Sequence, residues 1–243
     1  MGNYSLRIEM QKLRRTGVIG TFIFTGVAGA IYAIMNWYVR KDILLSADID
    51  PMTTLLTQLY GVICLINIFA IVVSTSNIYH IEYQNNGLKK MKTLPIKASE
   101  IFISKLVILI STLLLSYMIE FVALAFLGKK YLPNSSFDFH TLVQFGFYIF
   151  LISLPCLTFM LVVSILSTNL WISIGVGVIG FFSGMSMIVT DNSINFVNPF
   201  SLILIPSVSL SAKVDIFIML TSVFETIVLV AAGIMIANKR RYE

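Results

Sequence analysis

Residues 141–166, Thr141 to Leu166, read TLVQFGFYIFLISLPCLTFMLVVSIL and contain no charged side chain. A helix rises about 1.5 Å per residue, so roughly 20 apolar residues cross a hydrocarbon core about 30 Å thick. This stretch is long enough. Inside lipid no water is available to the backbone, so a lone span must satisfy its own N–H and C=O groups, and it does so as a helix. Pro155 can kink it.

Five more stretches of this kind lie along the chain. Residues 17–39 and 54–79 are uncharged, with Asp50-Pro51 as the leading turn of the second. Residues 101–127 carry Lys105 near the start and Glu120 inside. Residues 170–190 are rich in glycine, and 214–238 carry Asp215 at the edge and Glu225 inside. The whole chain is 57% hydrophobic and 12% charged, with a mean hydropathy of +0.89. A soluble domain has about twice that charged fraction. The expected fold is an all-α polytopic membrane protein of six transmembrane helices, with residues 1–243 forming a single transmembrane domain.

Cationic residues give an orientation. Arg7, Lys12, Arg14 and Arg15, then Lys89, Lys90, Lys92, Lys97 and Lys105, then Lys239, Arg240 and Arg241 fall on one side of a six-span topology. The other side holds Arg40, Lys41, Lys129, Lys130 and Lys213, with Asp42, Asp48 and Asp50 in its first loop. By the positive-inside tendency both termini face the cytoplasm. Topology and anionic headgroups account for the net charge of +5, and no nucleic-acid partner is implied. The first apolar run is too long for a signal-peptide core and is read as a retained helix. Leu6 stands where a myristoylation motif needs a hydroxyl. Cys64 and Cys156 fall in spans and are expected to be buried thiols.

Two segments outside the spans are patterned. Leu6, Met10 and Leu13 line one face of an N-terminal amphipathic helix that lies in the membrane interface, as a basic anchor or as a contact for a cytoplasmic partner. Leu88, Met91 and Leu94 form a short apolar ridge beside Lys89, Lys90 and Lys92, with Gly87 before it and Pro95 ending it. Either a solvated basic loop or a docking helix has this composition, and the ridge and the proline stop favour docking. Ser99 is the expected N-cap of the next helix, with Glu100 in its first turn.

From Tyr79 to Lys105 the chain resembles the second cytoplasmic segment of type-2 ABC transporter permeases. The matching positions are Glu82, Asn86-Gly87, Leu94-Pro95 and Lys105. With the amphipathic start at Glu9 to Arg15, the aromatic Trp37 and the string His80-Ile81-Glu82, it is most similar to the permeases of lantibiotic self-protection transporters. The resemblance implies six spans, pairing with a second permease, identical or related, and docking on a separate ABC ATPase subunit. The short coupling helix would be Gly87 to Leu94, with Glu82, Leu88, Lys89, Lys90, Met91, Lys92 and Pro95 in the ATPase contact. It also implies an outer re-entrant segment at 191–213, where the chain is too short and too proline-broken to span.

The chain has no Gly-x-x-x-x-Gly-Lys-Ser/Thr motif. Gly128-Lys129-Lys130 lacks the upstream glycine and the hydroxyl, so ATP and magnesium are expected on the partner and no cofactor on this chain. No catalytic or metal-ligating constellation appears. His80 and His140 fall on opposite sides of the membrane, and neither a His-Glu-x-x-His nor a Gly-x-Ser-x-Gly pattern occurs. Glu120 and Glu225 are costly inside a bilayer, and each is a candidate for the substrate path or for helix-to-helix hydrogen bonding. Gly180 and Gly184 suit close helix packing. The resemblance therefore implies a permease subunit in a bacterial cell membrane that expels a hydrophobic or amphipathic peptide. Alternatives are export of another membrane-active peptide, drug or lipid-linked glycan, or, in another class, a membrane-embedded enzyme or sensor subunit.

Overall fold

The computed structural model describes residues 9–12, 16–46, 50–83, 97–132, 137–189, 196–209 and 212–240. Seven long or medium helices run through them, and no strand occurs among the described residues. They are α1 (Val18–Ser46), α2 (Pro51–Tyr83), α3 (Ala98–Tyr131), α4 (Phe139–Leu166), α5 (Leu170–Val189), α6 (Pro199–Val208) and α7 (Ile216–Arg240). Six of the seven are long and apolar enough to cross a membrane, and α6, with 10 residues, is not. The protein is an all-α polytopic membrane protein.

Several helices run past the apolar stretches that announce them. Helix α1 continues through Arg40 and Lys41, α2 to Tyr83, and α3 starts at Ala98. Hydropathy marks only the residues in hydrocarbon, whereas the backbone ladder continues through the interface wherever no Gly or Pro stops it.

Short polar side chains set the helix starts. Asp50 accepts from the N–H groups of Met52 (3.1 Å) and Thr53 (3.0 Å) at the head of α2, where Pro51 needs no partner for its missing N–H. Asp138 accepts from His140 (3.0 Å) and Thr141 (3.2 Å), and Asn198 from Phe200 (2.9 Å) with Pro199 beside it. The Thr141 hydroxyl and these N–H groups hold the Asp138 carboxyl below its usual range. Helix α3 departs from expectation. Lys97 takes the cap position without a side-chain bond, and Ser99 lies inside the first turn. The Lys97 carbonyl already receives the N–H groups of Glu100 and Ile101, so the helix begins before the serine can cap it.

Helices α2 and α4 form the centre. Leu55, Leu59, Ile63, Phe145, Ile149 and Leu157 are fully buried there, and Tyr60 meets Phe145 edge-on at 5.9 Å. Helices α1 and α3 pack as a pair on one flank, α7 packs along α4, and α5 is joined to the bundle through α6 and α2. Pro155 is buried inside α4 and cannot donate to the carbonyl four residues back. Hydroxyls work nearby: Ser153 donates to Phe150 O (2.7 Å) and Thr158 to Leu154 O (2.8 Å).

Helix α6 is short, apolar and buried from Pro199 to Leu204. Gly180 and Gly184 of α5 make room for it. A Cβ on Gly180 would stand 2.3 Å from the Phe200 ring, and one on Gly184 3.0 Å from the Phe200 backbone. On the opposite side the Tyr60 hydroxyl donates to Ile203 O at 3.0 Å, and Cys64 reaches the same oxygen at 3.3 Å. Cys64 and Cys156 are both buried free thiols.

Candidate functional site

Residues 84–96 lie outside the described residues, and with them the whole ridge, Gly87, Leu88, Lys89, Lys90, Met91, Lys92, Leu94 and Pro95. The two helix ends that bracket this segment are described. They are locked together by charge. Lys105 of α3 donates to Glu82 Oε1 of α2 at 2.8 Å and to Glu9 Oε2 at 2.9 Å. Lys12 donates to Glu9 Oε1 at 2.7 Å and stands 3.3 Å from Glu82 Oε1.

Lys105 and Glu9 are each only about 2% exposed at the side chain, and Glu82 is 9%. Lys105 also lies 5.0 Å from the centre of the buried Tyr79 ring, a cation–π contact that adds to its containment. Two acids thus face two bases. A buried charge is tolerated when paired and hydrogen-bonded, and here both carboxylates accept from lysine nitrogens. Burial alone would raise the Glu9 carboxyl, but the Lys105 and Lys12 cations outweigh it and hold it below its ordinary value.

Residues 9–12 form a helical turn, and Gly17 at φ +75° bends the chain between that turn and α1. The left-handed φ favours glycine at this bend. Asn77 of α2 then donates to Thr16 O at 3.1 Å. The N-terminal turn, the end of α2 and the start of α3 are therefore one joint.

A second polar group lies deeper, among α1, α2 and α3. Asn67 Nδ2 donates to both oxygens of Glu120, at 3.0 and 2.8 Å, and its Oδ1 accepts from Ser116 (3.2 Å). Ser116 stands 3.5 Å from Thr25 of α1. Gly29 admits the carboxylate: a Cβ there would stand 2.6 Å from Glu120 Oε1. Glu120 is fully buried between helices. Glu225 is half-buried on α7, and its Oε2 is buried with no hydrogen-bond partner among the described residues. The two carboxylates are not bonded to each other.

Sequence reading singled out Glu82 and Lys105 but not their contact. It did not assign Glu9 and Lys12 to the same site, although Glu9 is the lone acid in a basic stretch. Asn67 was passed over too, and its signal was there: it is the one amide in the apolar run 61–73.

Residues 5–184 match the family described as ABC-2 family transporter protein. The chain belongs to that family. No curated protein and no solved structure matches the chain. As an ABC-2 transporter protein it is a membrane permease whose family membership implies an ABC ATPase partner. The match covers the N-terminal turn, both ends of the 84–96 segment, Lys105 and Glu120.

Proposed function

We propose that this permease is the membrane half of an ATP-driven exporter that removes a lantibiotic or similar amphipathic antimicrobial peptide from the bilayer and so protects its producer. Both termini and residues 84–96 face the cytoplasm in this reading. The permease pairs with a second copy or a related subunit, and each docks an ATPase through Gly87 to Leu94. ATP and magnesium are bound by that ATPase.

The observation that carries the reading is the buried joint of Glu9, Lys12, Glu82 and Lys105 immediately flanking the proposed docking segment. A loop that transmits force needs rigid ends. The buried Lys105–Glu82 pair at 2.8 Å ties the end of α2 to the start of α3, and Lys105–Glu9 at 2.9 Å adds the N-terminal turn, so displacement of the loop moves both spans as one body. The apolar ridge of Leu88, Met91 and Leu94 supplies the part that seats in a groove of the ATPase.

Copurification with the ATPase tests the contact. Reversing Lys89, Lys90 and Lys92 to glutamate with Leu88→Ser and Met91→Ser should abolish ATPase capture while the permease still inserts. Capture that survives these changes overturns the docking assignment. A producer strain lacking the permease should lose peptide tolerance, and restoration by the chain with its ATPase is expected. Unchanged tolerance refutes the peptide cargo while leaving ATPase docking standing.

A further inference from the structure

The two carboxylates inside spans are held differently. Glu120 of α3 is fully buried, and both of its oxygens accept from Asn67, at 3.0 and 2.8 Å. Glu225 of α7 is half-buried, and its Oε2 meets no donor among the described residues. It stands nine residues past the helix head at Ile216, about 14 Å along the axis and well inside a hydrocarbon core about 30 Å thick.

Its position on the helix decides what can reach it. Ile218, Ser222, Gly233 and Ala237 form the buried stripe of α7, which packs along α4 and touches α3 where Gly233 meets the Phe102 ring. Glu225 follows Ser222 by three positions and Ile218 by seven, so it falls on this stripe, and Cys156 of α4 lies within electrostatic reach of it. Next to it Phe224 and Val228 are exposed, on the least enclosed of the six spanning helices. The carboxyl therefore stands at the seam between the packed face of α7 and its open face. A charge at this depth is costly unless paired, and among the described residues nothing pairs it.

The missing partner is a cation or strong donor that arrives through hydrocarbon. A hydrated inorganic ion does not enter that phase, whereas a cation carried on an apolar body does. A second copy of the chain has no such group to offer: the one cation inside the six apolar stretches is Lys105, already held by Glu9 and Glu82. We infer that Glu225 receives an ammonium or guanidinium group of the exported peptide, with the peptide's apolar side against Phe224 and Val228, and that Glu120 takes no part in this contact. The inference rests on the peptide-export reading and adds that the cargo is cationic. The cation donates to the carboxylate, a charge-assisted bond stronger than a neutral one.

The full-length protein in phosphatidylcholine vesicles is treated with dicyclohexylcarbodiimide, a lipid-soluble reagent. A carboxyl adds across its C=N bond, the proton going to nitrogen and the oxygen to carbon. Mass spectrometry should find the adduct on Glu225 and none on Glu120. A synthetic amphipathic helix of leucine and lysine should slow this labelling several-fold, and the same peptide with acetylated lysines should not. Binding of the lysine peptide, measured against protein-free vesicles, should weaken about tenfold in Glu225→Gln and stay within about twofold in Glu120→Gln and Glu225→Asp. Equal labelling of both acids, equal protection by the two peptides, or binding unchanged in Glu225→Gln overturns the inference. Labelling that falls as protein density rises, with or without peptide, assigns the seam to a second copy and refutes the cargo contact. Producer tolerance separates the two readings: tolerance lost on deleting the permease but kept in Glu225→Gln refutes the role of Glu225 alone, and tolerance unchanged on deletion refutes the peptide cargo itself.

Discussion

The ionic joint and the cluster around Glu120 are both polar groups packed between helices, yet they are built on opposite principles. At the joint, Glu9 and Glu82 face Lys12 and Lys105, and charge is matched by charge. In the deeper cluster, Glu120 meets an amide, Asn67, backed by the hydroxyls of Ser116 and Thr25, and among the described residues no lysine or arginine takes part. The first must be kept whole, because losing one member strands a charge. The second is a set of shared hydrogen bonds that tolerates change in proportion to the bonds lost. Under the proposed docking through Gly87 to Leu94, that order puts the stiff connection near the driver and the softer contacts farther from it.

The sharpest break of this comparison is Lys105→Met. It leaves two buried carboxylates facing Lys12 alone and should cost about 3–5 kcal/mol, read as a large fall in thermal stability in detergent. Adding Glu9→Gln and Glu82→Gln to the same chain should recover much of the loss. A Lys105→Met protein as stable as the parent would remove the joint as an organising feature.

Gly29→Ala comes next. Its Cβ would collide with Glu120, and overpacking of this kind costs about 1–3 kcal/mol. In a double-mutant cycle with Glu120→Ala the penalty should nearly vanish, because the colliding atoms are gone. A penalty that stays the same in both backgrounds would show that Gly29 matters for another reason.

Glu120→Gln keeps the size and most of the hydrogen bonding and should cost about 0.6 kcal/mol, the average for a hydrogen bond between spans. A loss as large as that of Lys105→Met would erase the distinction between the two clusters.

The smallest effect is the pH dependence of the joint. The folded Glu9 carboxyl lies below its ordinary value of 4.5, so its contribution is present above about pH 4.5 and drains as pH falls through the lowered value. Thermal melts from about pH 5 down to about pH 3 should show this loss, and Glu9→Gln should flatten that part of the profile. A profile unchanged by Glu9→Gln would show that the carboxyl is not held by its lysines.

Much of the fold was legible in advance because lipid leaves the backbone few choices. The six spanning helices follow from apolar length alone, and Asp50-Pro51 marks the head of α2 through chemistry local to the turn. Ser99 does not cap α3, because it stands two positions past the cap, and a good capping residue too late looks the same in sequence as one in place. The candidate site was half legible. Glu82 and Lys105 stood out as charges next to apolar runs, but nothing in the order of residues says that they touch.

By itself the sequence determined the class of solvent, the number of crossings and the segments that cannot cross, since each depends on residues adjacent along one helix. Only the tertiary structure decided which polar groups meet. Lys105 reaches Glu9 across 96 positions and Glu82 across 23. Gly29 faces Glu120, and Gly180 and Gly184 receive α6. Those meetings depend on how helices rotate and cross. That is settled by the summed packing of whole helix faces and by the need to pair every buried charge, which no local stretch of sequence contains.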